Sequence, residues 1–85
     1  MTNWRELLSR AQDQNGDKGE LKKIYPPNID LDREFDCGFG TTNGEPFTAW
    51  SDKWVYFPIV YDGAEWVGSA PRNPCEVAMP HQGKG

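Results

Sequence analysis

Apolar residues near the start of the chain recur at helical spacing. Trp4, Leu7, Leu8 and Ala11 follow the i, i+3, i+4, i+7 rule and form one stripe. Asn3 followed by Glu6 is a capping-box spacing, in which the Asn oxygen accepts an orphan amide and the Glu reaches back to the cap. Asn15-Gly16 is a stop signal, because both residues tolerate the left-handed conformation of a helix end. The spacing predicts a helix over about 3–14. Beyond it, Asp17 and Glu20 repeat the capping spacing, with Leu21 and Ile24 one turn apart, but Gly19 weakens a helix and Pro26-Pro27 ends one. Residues 17–34 therefore read as a linker holding at most one short helical turn.

The next pattern has period two. Ile29, Leu31, Phe35, Cys37 and Phe39 occupy odd positions, while Asp30, Asp32, Glu34 and Asp36 occupy even ones, with Arg33 the exception on the apolar side. In an extended chain these sets lie on opposite faces, and the four carboxylates form a row spaced by about 6–7 Å. Asp is a poor strand former, so Phe35 to Phe39 is the better strand and the stretch before it reads as loop. Gly38 to Pro46 is a turn-rich loop. Phe47 to Trp50 and Lys53 to Tyr61 read as strands joined by a tight turn at Ser51-Asp52, and Asp62-Gly63 is a hairpin signal leading into a strand over Ala64 to Ala70. Within the long strand, Trp54, Tyr56 and Val60 share one face and Val55, Phe57, Ile59 and Tyr61 the other. Apolar residues on both faces suit a central strand, whereas Pro58 argues for an edge or a bulge.

These elements predict one α+β domain over 1–85. An N-terminal helix packs on a three- to four-stranded antiparallel β-meander at about 35–70, followed by an irregular tail over 71–85. Composition changes the picture in one respect. Leu, Ile, Val and Phe make up only 15 of 85 residues, so eleven aromatics, four of them Trp, must supply the missing apolar area. A chain this short buries only about 60–65% of its unfolded surface.

Charge and spacing remove most function classes. A net charge of −4 argues against direct nucleic-acid binding, which needs a basic field. No run is long and apolar enough to span a membrane, and the start lacks a basic-then-apolar leader. Cys37 and Cys75 match no metal or redox spacing, and in a reducing compartment they are expected as free thiols. His81, the one histidine, lies among Pro, Gln, Gly and Lys near the C-terminus, a poor place to hold a catalytic base. Counting an EF-hand loop from Asp30 puts Phe35 at position 6 and Thr41 at position 12, so that loop fails. Gly38-x-Gly40 breaks the dinucleotide fingerprint, and no Lys-Ser/Thr pair follows it. The expectation is no catalytic residue, no metal site, no cofactor and no enzyme.

Two features remain. The acidic row reads either as a solvated strand face that blocks edge pairing or as an imitation of nucleic-acid phosphates offered to a basic groove. The aromatics are either core or, because one short helix covers only one face of a sheet, partly a contact surface. On that second view the uncovered face needs tail residues such as Val77 and Met79, or a partner. The candidate partner-binding residues are thus Asp30, Asp32, Glu34 and Asp36 as an electrostatic row, with Trp54, Tyr56 and Trp66 as anchors.

The segment Phe57-Pro-Ile-Val-Tyr-Asp-Gly-Ala-Glu-Trp-Val67, followed by Pro71-Arg-Asn-Pro74, resembles small accessory proteins encoded by tailed bacteriophages. The similarity runs back through Phe47 to Trp50, Phe35 to Gly40 and Asn15-Gly16-Asp17. It brings no functional residue with it. What it implies is a setting in the cytoplasm of a bacterial host and a mode of action: binding a host protein or complex, for instance inhibiting a defence system of the CRISPR or restriction type, or another nucleic-acid-processing complex. The alternatives are a homo-oligomeric assembly factor and, third, a small metal- or ligand-dependent enzyme.

Overall fold

A computed structural model describes residues 2–35, 44–61 and 64–79. One helix precedes four strands: α1 (Trp4–Gln14), β1 (Lys23–Tyr25), β2 (Thr48–Trp50), β3 (Trp54–Tyr61) and β4 (Ala64–Pro71). The strands form one antiparallel sheet in the order β1-β2-β3-β4. The fold is α+β.

The helix begins as its cap requires. Asn3 is extended, and its side-chain oxygen accepts the Glu6 amide at 2.8 Å. Its reciprocal half differs from expectation, because the Glu6 carboxylate pairs with Arg10 one turn on, at 2.7 Å. At the other end Gly16 takes the left-handed conformation, φ 65°, while Asn15 stays right-handed. The predicted stripe of Trp4, Leu7, Leu8 and Ala11 is the buried face. It meets Phe35, Phe47, Ala49, Tyr56 and Val67 in a single core. Trp4 is the hub, with Phe35 and Phe47 rings 4.8 and 5.0 Å away and its indole N–H donating to the Glu45 carbonyl at 3.0 Å.

One expectation for 17–34 is corrected. The stretch read as a linker contains strand β1, in which Lys23, Ile24 and Tyr25 pair with Trp50, Ala49 and Thr48. Three residues are too few to show a period, so pairing partners and not local pattern make this a strand. Of the strand expected at Phe35 to Phe39, Phe35 is described and forms a bridge with Thr2; Asp36 to Phe39 lie outside the described residues. Pro58 sits inside β3 opposite Val67, yet β2 pairs with β3 only through Val55 and Tyr56. Pro58 therefore lies where β3 has one strand neighbour among the described residues, and no ladder bond to β2 is lost.

Gly44 shows how tightly the helix start is seated. A methyl group there would fall on the Trp4 indole ring and lie 3.0 Å from a Glu65 carboxylate oxygen. Gly44→Ala should lower unfolding free energy by about 1–3 kcal/mol, since the indole has packed rings on its other sides. Urea denaturation checks this, and an unchanged midpoint would show that the Trp4 site has slack.

Candidate interaction surface

Side chains alternate across a strand and cross-strand partners share a face, so the register assigns the described side chains of the sheet. Ala49, Tyr56, Val67 and Ser69 are buried on the helix side, with Ile24 in register beside them. Tyr25, Trp50, Val55, Phe57, Ile59, Trp66 and Ala70 point the other way. Tyr25 is 64% exposed and the rest are partly exposed. Among the described residues no helix or strand lies over this outer face. Val77, a tail residue expected to cover it, instead lines a cavity of about 200 Å³ with Trp54 and Pro71, at one end of the helix side.

The expected site residues are scattered. Trp54 and Tyr56 face the helix side, and Trp66 the outer side. Tyr56 is 0% exposed, so its assignment as a surface anchor is corrected: it is the centre of the core. Its hydroxyl donates to an Asp17 carboxylate oxygen at 2.6 Å, which ties the chain just after α1 to the middle of the sheet. Asn15 adds a second tie, its side-chain amide donating to the Ser69 hydroxyl at 3.0 Å. Burial and the neighbouring Asp17 carboxylate push the Tyr56 hydroxyl well above its ordinary pKa, keeping it a donor. For Asp17, burial alone pushes upward, but hydrogen bonds from Tyr56, Ser51, Gly19 and Gln12 outweigh it and hold the carboxyl below its usual range.

The regular acidic row does not form among the described residues. Residues 29–34 are turn and loop, with the Asp30 side chain accepting the Asp32 amide at 3.0 Å and its carbonyl accepting the Arg33 amide. This local bonding competes with an extended ladder and explains why the alternation misleads. Asp32 is engaged by Arg5, at 2.6 Å to Nε and 3.3 Å to Nη2, and the Arg5 hydrogen bond lowers its pKa. Glu34 is exposed, and Asp36 lies outside the described residues. The ion pair fastens this segment to α1, beside the Leu31 carbonyl that accepts the Arg5 amide.

Among the described residues no three His, Cys, Asp or Glu side chains are placed to hold a metal ion, and no helix is long and apolar enough to cross a membrane. Cys75 is exposed and free, while Cys37 and His81 lie outside the described residues. The chain matches no protein-family model, no curated protein and no solved structure.

The Asp17 bond predicts a pH signature. A carboxylate whose pKa is depressed on folding stabilises fully above its unfolded value, about 3.9, and that contribution fades as pH falls through the folded value. Tyr56→Phe should therefore cost about 1.5–3 kcal/mol at pH 7, with a gap to wild type that narrows below about pH 4. Urea midpoints from pH 3 to 8 measure it, and a pH-independent gap would exclude the charged carboxylate as the partner that matters.

Proposed function

We propose that this chain is a non-enzymatic binding protein that works by burying the outer face of its sheet against another protein. The observation that carries the reading is the face itself: seven apolar side chains from four strands, side by side, with no described element over them. Contiguous apolar surface of this kind on a small domain marks contact sites, and Trp and Tyr are common anchors within them. The resemblance to phage accessory proteins makes a host defence or nucleic-acid-processing complex in the bacterial cytoplasm the first class of target to test. Mimicry of nucleic acid by a carboxylate row is the weaker form of this reading, because Asp30 is turned into a local bond and Asp32 is paired with Arg5.

Capture from bacterial lysate separates the two surfaces. Tagged wild type is compared with Ile59→Lys, which places a charge in the outer face, and with an Asp30→Asn, Asp32→Asn, Glu34→Gln triple variant. Proteins held by wild type should be lost with Ile59→Lys and retained by the triple variant. The reverse pattern would move the site to the 30–34 segment.

A further inference from the structure

Strand β1 lies on a span of chain that is anchored on either side of it. Before it, the Asp17 amide donates to the Gln12 carbonyl at 2.8 Å and the Gln12 side chain donates to the Gly19 carbonyl at 2.9 Å. With the Tyr56 hydroxyl on the Asp17 carboxylate, these bonds fold residues 17–19 onto the end of α1. After it, the Leu31 carbonyl accepts the Arg5 amide, Asp32 pairs with the Arg5 side chain, and Phe35 bridges Thr2. Those contacts belong to the start of the helix. Residues 20–28 thus run from the end of α1 back to its start, between two fixed points.

Little holds the span itself. None of its residues is buried. Its share of the core is Leu21 and Ile24, both partly exposed, while Tyr25 is 64% exposed. Among the described residues its polar ties are the three-residue ladder to β2, the Lys22 amide to the Trp50 carbonyl and a Lys22–Asp52 ion pair at 3.8 Å. That pair is solvent-exposed, and exposed pairs contribute little. Strands β3 and β4, by contrast, pair along their whole length and carry Tyr56 and Val67 of the core. Segments with few buried apolar contacts and solvent-facing backbone bonds open before the whole domain does.

We propose that residues 20–28 are a detachable strap: β1 lifts off β2 while α1, residues 17–19 and strands β2 to β4 stay folded. Opening bares the β2 edge at Thr48–Trp50, a row of backbone donors and acceptors with no strand beside it. The strap gives the molecule a second state, a three-stranded sheet with a new open edge. It stands independently of the binding reading, because it concerns the edge of the sheet and not a partner on the outer face.

Native-state hydrogen exchange of the full chain, followed amide by amide by NMR in sub-denaturing urea, tests this. The Lys22 amide and the β1–β2 ladder amides should be about 30-fold or more less protected than the β3–β4 ladder, with a shallower urea dependence. Equal protection with one common urea slope means that β1 leaves only when the whole domain unfolds, and overturns the strap. Two variants locate its boundary. Tyr56→Phe removes a bond kept by both the closed and the open state. It should lower β3–β4 protection about tenfold or more and leave strap protection within about twofold. Ile24→Ala removes a contact made only when the strap is closed, and should lower strap protection about tenfold. Strap protection that falls with Tyr56→Phe as far as that of β3–β4, or that ignores Ile24→Ala, overturns the inference. If Tyr56→Phe does not fold, Asp17→Asn, which weakens the same bond, replaces it.

Discussion

One eleven-residue helix can cover one face of a four-stranded sheet, and this chain has one such helix among its described residues. Everything else follows from that shortage of cover. The helix side becomes a closed core built around Trp4 and Tyr56. The outer side keeps apolar residues, because eight-residue strands with alternating faces place something there whether or not a layer exists to meet it. In a larger domain a second layer of helices would close the sheet.

The core compensates for its small size with polar ties at both ends of the helix. At the start, the Trp4 indole N–H is satisfied by Glu45, and the buried Glu65 carboxylate accepts the Gly44 amide at 2.9 Å. At the end, Asp17 and Asn15 reach Tyr56 and Ser69 on adjacent strands. Buried polar groups of this kind cost free energy unless they are matched, and matched they fix one docking angle for the helix. That fixed angle decides which sheet positions are covered and which are left open.

The sequence made α1 legible because four apolar residues and two caps agree on one helix, and the β3–β4 hairpin because two apolar runs flank a two-residue turn. The outer face was legible too, though only through register. With Tyr61 opposite Ala64, Ile59 meets Trp66 and Phe57 meets Gly68, which separates Trp66 from Tyr56 and joins it to the odd-numbered set. Grouping the aromatics by type, as anchors, obscured this. Strand β1 was hidden because its signal lies in β2, its pairing partner, and not in its own three residues. The acidic alternation at 30–34 imitated a strand because Asp30, whose side chain bonds the amide two residues ahead, sets a two-residue spacing with Asp32 in a turn as well.

The apolar side chains of the outer face also hold it together. Gly68 faces outward yet is buried, with Phe57 directly across the ladder and Trp66 two residues away, so these aromatics already shelter the backbone between them. Replacing them with polar residues would strip the strands of the cross-strand contacts on which a small four-stranded sheet depends. A domain of this size cannot afford a polar second face, since its aliphatic content is low and its aromatics are needed on both sides. On the proposed binding reading, interface and fold would therefore be coupled through the same residues: burial against a partner would remove from water an apolar surface that the isolated domain must keep for its own stability.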